Sequence, residues 1–275
     1  MRTRWLKRLL SNVFISILLA FGTIGCGLER QHSDYGVFLS VTDDLESLSG
    51  FSEVVIDAQF FSKKDIEAFQ SGGRKVYSYI NVGSIEDFRE YYSEYEDITL
   101  GEYEHWDEER WVDVSDFRWQ DFLIKKLIPS LLEKNVDGFF VDNCDVYYIY
   151  PTEEIYDGLT NIMSTLVKTG KAVLINGGDA YLDAYCRNGG KWNEVITGIN
   201  QETVFTKILW DEDKFGVASS EDRRYFQDYI ERYADMGADI YLIEYTHDVL
   251  LADKVRKYCR QKGFYYYISD SLELD

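Results

Sequence analysis

The run Gly138-Phe-Phe-Val141 constrains this chain more than any other stretch, because it is apolar at consecutive positions and leads straight into Asp142, Asn143 and Asp145. An unbroken apolar run of strand length suits a strand covered on both faces, as in a parallel sheet. In parallel α/β folds the C-terminal ends of the strands are where ligands bind. A carboxylate there is costly to bury without a partner or a purpose. Capping of the next helix accounts for one of the two aspartates, less readily for both together with Asn143.

The surrounding chain repeats the theme. Further strands are expected at 35–40, 53–60 (bearing Asp57), 75–82, 172–176, 195–200, 240–244 and 264–268. Between them lie helical patterns. Ser62 caps one that stops at Gly72-Gly73. Another spans about 118–134 and should bend at Pro129, which lacks an amide hydrogen. Pro151 and Thr152 open a third, Ser219 or Ser220 a fourth, and Gly263 stops a fifth that begins near Val249. Eight strands with mostly helical crossovers fit a (β/α)8 TIM barrel better than an open doubly wound sheet. Two irregularities are expected. The segment between the first two strands is too short for a full helix, and little chain follows the eighth strand. Residues 84–117 read as a long loop on the catalytic face, crowded with Tyr91, Tyr92, Tyr95, Tyr103, Trp106 and Trp111. Such rings either stack on the apolar faces of sugars or form a small satellite core.

Residues 1–25 are set apart. Arg2, Arg4, Lys7 and Arg8 precede an apolar segment, 13–24, that is short for a membrane span. It ends in Thr23-Ile24-Gly25-Cys26, the pattern of a lipoprotein-type signal peptide, with Thr23 where leucine is usual. The expectation is export, a lipid on Cys26 that anchors the protein to a membrane, a polar tether over 26–34, and a single barrel domain over 35–275 acting as a monomer. Cys144, Cys186 and Cys259 are too few and too scattered for a disulfide framework or a zinc site. His32, His105 and His247 have no metal spacing, so neither a metal nor a cofactor is expected. There is no dinucleotide fingerprint, phosphate loop or nucleophile elbow. The net charge of −20 makes nucleic acid a poor partner and suits a neutral or cationic one.

What the expected strand ends supply is acids: Asp57, Asp142, Asp145, Asp179, Glu202 and Glu244. A barrel mouth lined by carboxylates suggests glycoside hydrolysis, in which one carboxyl group protonates the leaving oxygen while another attacks the anomeric carbon or activates water. Acidic strand ends also cap helices or hold metals, so this pattern alone is not specific.

Four stretches carry a family likeness: Tyr79-Ile-Asn81-Val-Gly83-Ser-Ile-Glu86-Asp87-Phe-Arg89, Asp137-Gly-Phe-Phe-Val-Asp142-Asn143-Cys-Asp145-Val-Tyr147, Leu174-Ile-Asn176-Gly-Gly, and Asn200-Gln201-Glu202. In order and spacing the chain resembles the endo-α-1,4-polygalactosaminidase family, glycoside hydrolase family 114, over roughly residues 35–270. The resemblance implies that Asp142 is the nucleophile and Glu202 the general acid/base. It implies sugar subsites built from Asp57, Tyr79, Asn81, Asn143, Asp145, Tyr147, Asn176 and Glu244. The implied substrate is an α-linked galactosamine polysaccharide, cut by an endo-acting, retaining enzyme. Two alternatives stay open, a catalytically silent carbohydrate-binding barrel and a glycosidase acting on neutral α-galactosides.

Overall fold

The computed structural model describes residues 34–275. The expected signal segment, Cys26 and all of the tether before Asp34 lie outside the described residues. Eight parallel strands form one sheet in sequential order: β1 (Tyr35–Phe38), β2 (Glu53–Ile56), β3 (Lys75–Asn81), β4 (Gly138–Asp142), β5 (Ala172–Asn176), β6 (Gly198–Glu202), β7 (Asp239–Tyr245) and β8 (Tyr265–Ser269). The sheet is nearly closed into a barrel. β1 and β8 share no ladder, and the seam is packed by rings, with Phe38 5.3 Å from Tyr267.

Alternation along the strands builds two cores. Val37, Val55, Tyr79, Phe140, Leu174 and Ile243 fill the barrel interior. Their neighbours Val54, Ile56, Ile80, Phe139, Val141 and Ile175 face the helical layer. Both faces are therefore apolar, which is why the strands read as unbroken hydrophobic runs. The lower interior is polar in one place. Glu53, 7% exposed, accepts from the hydroxyls of Tyr77 (3.1 Å) and Tyr241 (3.3 Å) and pairs with Lys75 at 2.9 Å.

The helices follow from their caps. The Ser62 side chain accepts from the Asp65 amide and starts Lys63–Gln70. Thr152 does the same for Glu153–Lys168 and Ser219 for Ser220–Asp235. The helix that carries Pro129 changes its ladder rather than running unbroken. Phe117–Phe122 passes into a π turn at Leu123–Leu127 and resumes as Ile128–Glu133, the ladder widening just ahead of the missing amide. A 3-10 turn, Leu45–Leu48, replaces the first helix. After β8 the tail turns back and buries Leu274 in the barrel interior.

Three expectations need correction. The hydrophobic pattern ends the sixth strand at residue 200, but the strand runs Gly198–Glu202, so Glu202 is itself a strand residue. The expected loop of 84–117 is largely folded. Ser84–Glu86, Glu109–Val112 and Thr99–Glu102 make a small antiparallel sheet. The strands are three or four residues long, and their pairing is non-local, so periodicity does not reveal them. A hairpin, Thr206–Leu209 with Lys214–Val217, likewise goes beyond the expected elements. These two insertions stand beside the C-terminal ends of the strands.

Candidate active site

Four successive strands end on polar residues: Asn81 on β3, Asp142 on β4, Asn176 on β5 and Glu202 on β6. The register sets Asn81 beside Asp142 and Asn176 beside Asn200. Asn81, Asp142 and Asn176 therefore stand at one level of one barrel end, with Glu202 two residues beyond Asn200 on β6. Above them lies a cavity of about 840 Å³, lined among others by Tyr79, Asp142, Asp145, Asn176, Glu202 and Tyr245.

Asn176 ties the two candidate catalytic acids together. Its Nδ2 donates to Asp142 Oδ1 at 3.0 Å and to Glu202 Oε1 at 2.8 Å. Those lengths and the ~120° spread of an amide NH2 put the two carboxylate oxygens about 5 Å apart. The amide is held in that orientation from behind, since its Oδ1 accepts from Asn200 Nδ2 at 2.7 Å and Asn200 Oδ1 accepts from the Tyr35 hydroxyl at 3.2 Å. Burial lifts the pKa of Tyr35 well above its ordinary value, so the hydroxyl stays a donor.

The two acids are held differently. Asp142 accepts from the Asn143 backbone amide at 3.0 Å and from the Tyr79 side chain, besides Asn176. Burial pushes its pKa up to about 6, Asn176 pulls against that, and the charge of Glu202 adds to it. Glu202 Oε2 accepts from the Tyr245 hydroxyl at 2.7 Å. Asp145 also lines the cavity, and burial, with Asp179 and Asp142 nearby, raises it to about 7.

Asn143 takes a left-handed backbone, φ 64°, which asparagine tolerates better than most residues. Gly83 makes this possible. A Cβ there would lie 1.8 Å from the Asn143 carbonyl oxygen. The Asn143 side chain joins a cluster with Asn81 and Ser84 around Glu109, a residue of the inserted sheet. The Asn81 side chain lies beneath this cluster, donating to Glu109 at 2.8 Å.

Of the remaining expected site residues, Asp57 borders the cavity while Tyr147 and Glu244 do not. Asp57 is engaged by Arg89 at 2.5 Å, and Arg89 also holds Glu86 at 2.7 Å. Tyr147 packs on Tyr156, ring centroids 5.8 Å apart, and is not among the cavity-lining residues. Glu244 is fully buried away from the cavity. It accepts from the Phe205 and Thr206 amides at 2.9 Å each and from the Thr206 hydroxyl at 2.6 Å, pinning the root of the hairpin.

The aromatics of the first insertion divide between a satellite core and the cavity wall. Tyr91 and Tyr95 pack into a core with Trp119 and Phe122. Tyr103, Trp106 and Trp111 line the cavity. His105 stacks at 4.4 Å on Trp210, which belongs to the second insertion. Glu109 and Tyr245 are site residues that the sequence does not single out, and of the two Tyr245 leaves a signal, following Glu244 at a strand end.

Comparison with known proteins bears on the fold and the family. The model of glycoside-hydrolase family GH114 matches residues 33–275. The glycoside hydrolase domain of PelA from Pseudomonas aeruginosa has a similar structure, with a TM-score of 0.73 and 17% identity over 88% of this chain and 95% of that one. Ega3 from Aspergillus fumigatus, solved in complex with galactosamine, gives a TM-score of 0.67 and 15% identity over 89% and 93%. At these identities the likeness shows a shared fold. No curated protein sequence matched the chain. On the extent of the family match, the chain belongs to glycoside-hydrolase family GH114 and is a glycoside hydrolase.

Proposed function

We propose that this protein is an endo-acting, retaining glycosidase that cleaves α-linked, galactosamine-type polysaccharide outside the cytoplasm. The observation that carries the reading is the Asn176 bridge, which sets the two carboxylates about 5 Å apart, the spacing of retaining rather than inverting glycosidases. Asp142, with three donors favouring its ionised form, attacks the anomeric carbon. As the glycosidic C–O bond breaks, Glu202 gives its proton to the leaving oxygen. Water then gives a proton back to Glu202 and displaces Asp142 from the sugar. Asp142 must be ionised to attack, so activity falls as the pH drops through about 6.

The substrate class rests on charge. Glu102, Glu104 and Glu108 border the cavity of a chain that carries −20 overall, and a deacetylated amino-sugar polymer is cationic. The galactosamine complex of Ega3 is consistent with that class. Residues 1–25 serve export and Cys26 carries a lipid, in keeping with the basic and apolar regions ahead of it. The test is reducing-end release from deacetylated and from fully N-acetylated α-1,4-galactosamine polymer. Release from the first, with much less from the second, is expected. Tight binding of both polymers without release would overturn the reading in favour of a binding barrel.

A further inference from the structure

Glu109 is a cavity-lining carboxylate that the mechanism leaves without a task. It opens the strand Glu109–Val112 of the inserted sheet. Its Oε1 collects three donors: Asn81 Nδ2 at 2.8 Å, Asn143 Nδ2 at 2.9 Å and the Ser84 hydroxyl. Asn143 is thereby gripped on all sides. Its Nδ2 also meets Asn81 Oδ1 and the Ser84 oxygen, at 3.1 and 2.7 Å, and its Oδ1 accepts from the Tyr103 hydroxyl at 2.9 Å. The backbone amide of this same residue donates to Asp142 Oδ1. One residue in a strained conformation thus links Glu109 to the attacking carboxylate.

We propose that Glu109 is a positioning residue for Asp142, acting through Asn143. It holds Asn143 in the left-handed conformation that aims its amide at the nucleophile, and it ties the inserted sheet to the strand ends. This role deepens the proposed function and rests on Asp142 being the reacting carboxylate. The arrangement has an electrostatic consequence as well as a geometric one. Glu109 is raised to about 7, by burial first and then by the charges of Glu86 and Asp142. Asp142, at about 6, ionises before Glu109, so Glu109 is mostly neutral while Asp142 titrates, and what reaches Asp142 through Asn143 is the amide bond that favours its ionised form. Asp142 also faces Glu202, Asp145 and the hydroxyls of Tyr79, Tyr103 and Tyr245. Glu109 faces its cross-strand partner Glu86 and the same Tyr79 and Tyr103. All of these persist when Glu109 alone is changed.

The experiment compares Glu109→Gln, Glu109→Asp, Asn143→Ala and the Glu109→Gln/Asn143→Ala pair in the full chain, across the acid limb of kcat/KM on the deacetylated polymer. Glu109→Gln is expected to lower kcat about 10- to 100-fold with little change in KM, because the cost is misplacement of the nucleophile. It should also move the acid limb up by ~0.5 pH unit, because a loosened Asn143 amide no longer favours the ionised Asp142. Glu109→Asp withdraws the same acceptor by one methylene and should move the limb the same way. The paired variant should be little worse than the poorer single one, as expected of residues acting in series. Carbon NMR of the Asp142 carboxyl group reads the same upward shift without any substrate. It therefore tests the coupling even if the polymer proves not to be the substrate. An Asp142 titration unmoved in Glu109→Gln, or losses that multiply in the pair, would overturn the proposal.

Discussion

Asp142→Asn should lower kcat by ~10³-fold or more, because an amide cannot attack the anomeric carbon and the residues of the site act as a unit. The fold should survive. The Asn oxygen still accepts from Asn176 and from the Asn143 amide. A neutral group also relieves the burial that pushes Asp142 up to about 6, so thermal stability should not fall. Glu202→Gln should cost about 10²- to 10⁴-fold, the usual worth of positioned proton transfer. Its oxygen keeps the Asn176 bond, while its new amide turns to the Tyr245 hydroxyl, which can accept. The variants should part company when azide is added with a substrate whose leaving group needs no protonation. Azide needs no general base, so it should restore turnover of the glycosyl-enzyme in Glu202→Gln. In Asp142→Asn no such intermediate forms. Restoration through a glycosyl-enzyme in Asp142→Asn instead would exchange the roles of the two acids.

Arg89→Met is expected to destabilise the protein by ~3–5 kcal/mol, the cost of leaving buried charges without their partner. For a domain of this size that is a fall of roughly 10 °C in Tm. Arg89 is 8% exposed, and its guanidinium meets Glu86 through two nitrogens, at 3.0 and 2.7 Å, and Asp57 through the third. Burial opposes the charge on Arg89, yet Glu86 and Asp57 hold its pKa above the ordinary value. Asp57 and Glu86 are themselves 3% and 6% exposed, so neither is solvated once the cation is gone. Neutralising all three, in Asp57→Asn/Glu86→Gln/Arg89→Met, should recover much of the loss. Thermal unfolding of the single and triple variants checks this. A single-variant loss below ~1 kcal/mol, the value of an exposed pair, would show that the cluster is not sequestered.

The barrel is legible in the sequence because buried parallel strands write themselves as apolar runs. The fifth strand is placed residue for residue, and most of the others within a few residues of their observed ends. Helix caps at Ser62, Thr152 and Ser219 are legible because their chemistry is local. The sixth strand is misplaced because Val195 and Ile196 are fully buried, although they precede the strand rather than form it. Glu202, Asp142 and Asn176 can be read as strand-end polar residues. Their convergence cannot, since it depends on register across three strands.

Glu244 and Asp57 show the limit of counting acids at strand ends. Each has a carboxylate at the right point in the sequence, but one pins a hairpin and the other neutralises an arginine. Glu109 shows the opposite. It lies in an insertion whose short strands leave no periodic trace, and only the folded chain brings it to Asn143.

The stereochemistry of the first product bears most directly on the two-carboxylate mechanism. Proton NMR can follow a deacetylated α-1,4-galactosamine oligomer during the first turnovers, before the new reducing end equilibrates. Carboxylate oxygens about 5 Å apart, bridged by Asn176, leave room for a covalent intermediate but not for a water beside the nucleophile. The predicted result is an α-configured hemiacetal appearing first, with the β form growing in later. Initial appearance of the β anomer would mean inversion by a single water attack and would contradict the roles of Asp142 as nucleophile and Glu202 as acid/base.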